Sequence, residues 1–146
     1  MMNEGNLLKQ SQSSLPVQVL IFFNWHFLAF FFFINLGLFT YKSAKYYYPS
    51  TYLGWDITID FLYLIVESTR LMLASKANKT ASVSAMASSL VLGIPILVAH
   101  SYYITLQTYV LRVDVVINAI AFILVGLEMI VCGLTLSQIF LASRKF

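Results

Sequence analysis

Four long apolar stretches, parted by short polar breaks, lay out this chain. They cover about residues 17–41, 53–74, 83–110 and 115–141. Each reaches the roughly 20 residues that a helix needs to cross a hydrocarbon core of about 30 Å. The runs are far longer than a barrel strand and lack strict alternation, so helices are expected and strands are not. After the first run comes KSAKYYYP at 42–49, followed by Tyr52 and Trp55. Lys beside a Tyr/Trp cluster marks the membrane–water boundary, and Pro49 bars further helix there. The second break, SKANKTAS at 75–82, reads as a polar turn carrying Lys76 and Lys79, and a tight turn at 111–114 precedes the last run. Gly93 and Pro95 fall near the middle of the third run, where proline removes a backbone hydrogen bond and is expected to kink the helix. Residues 1–14 are polar and read as a disordered tail, and 143–146 as a short one. The first run is too long for a signal-peptide core and has no small-residue cleavage site after it, so it reads as a retained span.

Composition leaves little room for another class. Of 146 residues, 60% are hydrophobic and only 10% charged, with mean hydropathy +0.81. A soluble domain carries about a quarter charged residues. The expectation is therefore an all-α integral membrane protein, a four-helix bundle with short loops and no soluble domain. The single cysteine, Cys132, permits neither an intramolecular disulfide nor a cysteine metal cluster. Net charge is +3, with the basic residues at segment ends, which fits membrane anchoring and argues against a nucleic-acid partner. With four spans, Lys9, Lys76, Lys79, Arg144 and Lys145 share one side, and Lys42, Lys45 and Arg112 the other. That excess places both termini in the cytosol. Asn78-Lys79-Thr80 is a glycosylation sequon that then faces the cytosol, stays unmodified and doubles as a test of topology.

The polar residues inside the runs call for a reason, since each charge at membrane depth costs about 2.5–3.5 kcal/mol. Asp56, Asp60, Tyr63, Glu67 and Arg70 recur at intervals of four and three, one narrow stripe on the second helix. Glu67 and Arg70 stand three apart and can pair. Asp114, Asn118, Ala121, Val125, Glu128 and Cys132 share a face of the fourth helix. His100, Tyr103 and Gln107 follow the same spacing on the third, with Arg112 at its end. Ala85, Ser89 and Gly93 form a small-residue seam on that helix for close packing. Asn24 and Asn35 share a face of the first. Turned inward, these stripes give a bundle with a polar, partly ionic core. Such a core either fixes register and partner choice or forms a path for a proton, ion or substrate. Glu128 is the strongest transport candidate, being deep and without a partner on its own helix.

Catalytic signals are lacking. His26 and His100 have no second His or Cys at ligand spacing, so a hydrogen-bonded or interfacial histidine is expected, and Cys132 reads as a buried thiol. The Phe30 to Phe33 run reads as lipid-facing or core bulk. No Gly-rich phosphate loop, nucleophile elbow or metalloprotease helix appears. Neither a cofactor, a metal nor a small-molecule substrate is expected. The runner-up to a scaffold is a small dimeric four-helix transporter coupled to protons or cations.

The segment SYYITLQTYVLRVDVVIN at 101–118 resembles the corresponding turn of the transmembrane protein 216 family, which includes transmembrane proteins 17 and 80. SLPVQ at 14–18, YK at 41–42, YP at 48–49 with Asp60, ESTRL at 67–71 and GLE at 126–128 follow in the same order, so the likeness spans about residues 14–140. The chain departs at 74–78, where it has ASKAN and the family tends toward GTKGN. The resemblance implies a non-enzymatic component of the ciliary transition zone. Such proteins work with tectonic proteins, meckelin and B9-domain proteins to gate ciliary membrane proteins and to support cilium assembly and Hedgehog-type signalling. On this reading the intramembrane polar residues serve the bundle and its partners, lipids and other spans among them.

Overall fold

The computed structural model describes residues 14–145. Four helices follow one another: α1 Leu15–Lys45, α2 Ser50–Thr80, α3 Val83–Thr105 and α4 Arg112–Arg144. Apart from Ser14, the tail expected at 1–14 lies outside the described residues, as does Phe146. Pro16 opens α1, where its fixed φ suits the first turn and no needed N–H is lost. Neighbours in sequence pack side by side, and α4 returns against α1, closing an up-down-up-down bundle. One end, the terminal end, holds Ser14, Thr80, Val83 and Arg144. The other, the loop end, holds Lys45, Ser50, Thr105 and Arg112.

The bundle is inverted relative to a soluble one. Phe33 on α1, Ile65 on α2, Val91 on α3 and Ile130 on α4 are each more than 60% exposed. Asp56, Asp60, Glu67, Arg70, Asp114 and Glu128 are all buried. An apolar coat around a charged interior suits hydrocarbon as solvent, not water. Three helices, α1, α3 and α4, are long and apolar enough to cross a membrane. α2 matches them in length, and the acidic and basic residues along its middle point into the bundle. This is an all-α membrane bundle, with Ile21, Leu28, Phe31, Leu71, Ala74, Met86, Ile96 and Val125 among its core residues.

The helices outrun the apolar stretches, and the connections shift accordingly. The polar turn expected at 75–82 is helical through Thr80, leaving a two-residue turn of Ala81 and Ser82. Ser82 N–H bonds the Ala77 carbonyl at 3.1 Å, and the Ser82 hydroxyl accepts the Ala85 N–H at the start of α3. Ala81 takes a left-handed φ of 50°, a conformation that costs an L-residue about 1–2 kcal/mol and that glycine adopts freely. Within ASKAN, Ala74 and Ala77 are helical core residues with no exposed area, so alanine suits both places. At the loop end α3 stops at Thr105, short of the expected 110. Two tertiary bonds outweigh another helical turn there: Gln107 reaches Lys42, and the Tyr109 hydroxyl donates to the Tyr47 carbonyl at 2.8 Å. Pro95 lies on the exposed side of α3, while Gly93 faces α4, where an added Cβ would come 2.5 Å from Met129 Sδ. The Phe run divides, Phe30 and Phe33 facing out and Phe31 buried.

Candidate functional site

Arg70 is the hub of the interior. Its Nε and Nη2 donate to Glu67 Oε2 and Oε1 at 2.7 and 2.6 Å, a two-pronged pair within α2. Its Nη1 donates to Glu128 Oε1 at 2.8 Å, across the bundle on α4. Asn24 Nδ2 from α1 donates to the other Glu128 oxygen, and the Ser89 hydroxyl of α3 donates to the Arg70 carbonyl at 3.3 Å. All four helices converge on this centre: α2 and α4 through the Arg70 side chain, α1 through Asn24 on Glu128, and α3 through the Arg70 backbone carbonyl. Only a planar fork with five donors can hold two carboxylates this way. Glu128 has no partner on its own helix, as its sequence context indicates, and gains both of its partners from other helices.

Toward the loop end, an aromatic layer and a chain of amides follow. Phe31, Tyr63 and His100 lie with ring centroids 5.0 to 5.3 Å apart. Asn118 Nδ2 donates to the Asp114 carbonyl, which turns its Oδ1 toward His100 Nδ1 at 2.9 Å. His100 therefore carries its proton on Nδ1, and its Nε2 is buried without a partner. Asn35 Nδ2 donates to Asp60 Oδ1 at 2.9 Å, and Asp60 Oδ2 has no partner.

A second ion centre closes the loop end. Lys42 has no exposed area; its Nζ lies 2.7 Å from Asp114 Oδ2 and donates to Gln107 Oε1 at 3.0 Å. Asp114, in the first turn of α4, also accepts the Leu111 N–H at 2.8 Å. Beside it Asp56 accepts the hydroxyls of Tyr48 and Tyr102, the latter at 2.7 Å, while the Tyr103 hydroxyl donates to its carbonyl at 3.2 Å. Burial, then the Asp56 hydrogen bond and charge, hold the Tyr48 phenol well above its ordinary pKa, so it remains a donor. Tyr46 stacks on Tyr109 with centroids 5.3 Å apart, so both loops of this end are tied together.

Of the residues that the sequence nominates, Glu67, Arg70 and Glu128 meet in one centre, with Asp114 in the other. Asp56, Asp60, His100 and Asn118 are buried between or beside them. Gln107 enters the core from the loop after α3, not from the helix. Arg112 is a correction: it is exposed and stands outside the network. It lies two residues before the inward-facing Asp114, about 200° round the helix, so it points outward. Lys42 is the other correction. Lys beside Tyr reads as an interfacial anchor, yet this one is a core ion. The signal that reveals it is spacing: Lys42 falls seven residues after Asn35 and so shares its face, two turns on. His26 bonds the Phe22 carbonyl at 2.9 Å, and Cys132 is a free buried thiol. Asn78, the sequon residue, is buried with its side chain bonded to both the N–H and the carbonyl of Ser14. A glycan on its Nδ2 would disrupt the bond to the Ser14 carbonyl, so this fold holds Asn78 unmodified.

The chain matches known proteins at the level of sequence. The family profile Transmemb_17, described as a predicted membrane protein, matches residues 19–125. The chain belongs to this family. Transmembrane protein 216 of Bos taurus is 37% identical over 125 residues, covering 86% of this chain and 89% of its own length. The Mus musculus protein is 36% identical with the same coverage, and the Danio rerio protein 33% identical over 78% of its length. No solved structure matches the chain with significance. The matched span takes in Asn24, Lys42, Glu67, Arg70 and Asp114 and ends before Glu128.

Proposed function

We propose that this protein is a non-enzymatic membrane scaffold of the ciliary transition zone, supporting cilium assembly and the gating of ciliary membrane proteins. The observation that carries the scaffold half is the closure of the Arg70 centre. The Arg70 guanidinium and both carboxylates are bonded to one another between α2 and α4, with Asn24 of α1 on Glu128 and Ser89 of α3 on the Arg70 carbonyl, which pins the helices together and commits these charges to the bundle. The connections at 46–49, 81–82 and 106–111 are too short to fold into domains, so partners meet this body through its apolar helix faces and loops. Membership of the transmembrane protein 216 family supports the location. Tectonic, meckelin and B9-domain proteins are the partners this reading brings with it.

Orientation gains support from Lys42. Once it is buried in an ion pair, the exposed basic residues of the loop end reduce to Lys45 and Arg112. The terminal end keeps Lys76, Lys79, Arg144 and Lys145, which favours cytosolic termini. A carboxy-terminal tag on the chain at native expression in ciliated cells tests both points. The expected result is a focus between basal body and axoneme, stained only after permeabilisation. Even spread through other membranes would overturn the location, and staining of intact cells the orientation. One observation keeps a second reading, proton- or cation-coupled transport, in play: the unpartnered buried oxygen of Asp60.

A further inference from the structure

Two surface grooves of similar size flank the bundle, and their chemistry differs. One, of about 330 Å³, is lined by Ile104, Phe122, Ile123 and small neighbours and carries no charge. The other, of about 380 Å³, lies between α1 and α2 at the terminal end, lined by Trp25, Met72, Ser75, Lys76, Lys79 and Thr80. Along α2 these residues grade from apolar to cationic. Met72 and Trp25 lie toward the middle of the bundle, and the two lysines toward its end. Lys76 and Lys79 stand three apart, on neighbouring turns of one face, and both are exposed. Neither enters an ion pair among the described residues. The preceding acid on α2, Glu67, is buried and committed to Arg70. Every described carboxylate side chain is turned into the core, so among the described residues no acid at this end offsets the two cations.

We propose that this groove holds one anionic phospholipid, its headgroup phosphate on Lys76 and Lys79 and its acyl chains along Met72 and Trp25. The order of the lining matches the order of the lipid: cation at the helix end, apolar surface below it. The inference rests on the membrane fold alone and stands whether or not the protein works at the cilium.

Native mass spectrometry of the full chain in non-ionic detergent tests it, with dioleoyl phosphatidylserine as probe and dioleoyl phosphatidylcholine and inorganic phosphate as comparisons. One phosphatidylserine is expected to stay bound where phosphatidylcholine does not, and phosphate at equal concentration is expected not to displace it. With each lysine near the surface contributing about a factor of five, Lys76→Gln/Lys79→Gln weakens retention about 30-fold. Each single change weakens it about fivefold, which keeps the test open if the pair does not purify. Lys76→Arg/Lys79→Arg retains the lipid. Arg144→Gln/Lys145→Gln removes the same charge from the same end, outside the groove, and leaves binding unchanged. Equal retention of phosphatidylcholine, displacement by phosphate, an equal loss in the Arg144/Lys145 control, or no loss in the glutamine variants would each overturn the proposal.

Discussion

At Arg70 one cation holds two carboxylates near the middle of the bundle, whereas at Lys42 one cation holds a single carboxylate at the loop end. The two centres share α4, where Glu128 and Asp114 lie about 21 Å apart along the axis. Their supports differ as much as their charge. Asp114 sits in the first turn of α4 and accepts the Leu111 N–H, so a helix N-terminus stabilises it even without Lys42. Glu67 and Glu128 sit far from any helix end and depend on Arg70, with Asn24 as the one auxiliary donor to Glu128. The comparison teaches that the same element, a buried ion pair, can serve as the pin of a whole bundle or as the latch of one loop. Which it becomes depends on how many helices converge and on what else neutralises the anion.

The largest effect should come from breaking the pin. Arg70→Leu leaves two carboxylates in a low-dielectric interior with no cation, and removing one partner of a buried pair costs about 3–5 kcal/mol. The variant is expected not to accumulate, or to unfold far below the parent in detergent when followed by the emission of Trp25 and Trp55. Replacing the acids as well, in Arg70→Met/Glu67→Gln/Glu128→Gln, should recover most of the loss, because a neutral, filled core can match a buried ion cluster. Parental stability in Arg70→Leu would sink the claim that this centre holds the bundle.

The difference between the centres also explains what the sequence discloses. Glu67 and Arg70 lie on one helix three residues apart, a local relation that periodicity reveals. The inward stripe of α2 and the Asp114-to-Cys132 face of α4 are legible for the same reason. That Glu128 joins Arg70 is a relation between helices, set by the packing of α2 against its neighbours, and no spacing within one helix encodes it. Lys42 misleads because its neighbours Tyr46 to Tyr48 carry an interfacial signal strong enough to hide its register with Asn24 and Asn35. The end of α3 misleads differently. Residues 106–110 are apolar enough to continue a helix, and only the tertiary bonds of Gln107 and Tyr109 stop it. Long-range bonds at the loop end thus account for most of what the pattern of apolar positions leaves out.

An intermediate effect should follow from releasing the latch. Lys42→Met strips Asp114 of its cation but leaves it the Leu111 N–H and the helix terminus, so the loss should fall at the low end, about 3 kcal/mol. Lys42→Met/Asp114→Asn should regain most of it. Combined with the triple replacement at Arg70, the Lys42 change should add independently, because the centres lie well beyond the 7–10 Å within which mutations couple. A double-mutant cycle in thermal unfolding reads this directly. Strong coupling between the two would mean that they form one network, and the contrast between pin and latch would fail.

The smallest effect should come from Asp60, which like Asp56 belongs to neither ion pair but, unlike Asp56, has a carboxyl oxygen with no hydrogen-bond partner. Asp60 receives Asn35 on one oxygen and nothing on the other, with no cation paired to it. An unpaired carboxylate is costly to hold in such a place, so Asp60→Asn keeps the Asn35 bond while removing a formal charge. Its stability should match the parent or exceed it by about 1 kcal/mol, the worth of a modest hydrogen-bond adjustment. A residue whose structural loss is nil and whose presence is nonetheless unfavourable invites a functional test. Asp60→Asn should therefore be compared with the parent in liposomes for pH-linked cation flux and in cells for recovery of the partner complex. Equal complex recovery with no flux in either form leaves Arg70 and Lys42 as the working ions of a scaffold. Flux present in the parent and absent in a well-folded Asp60→Asn would instead make the unpartnered oxygen the working group, and the two paired centres merely its frame.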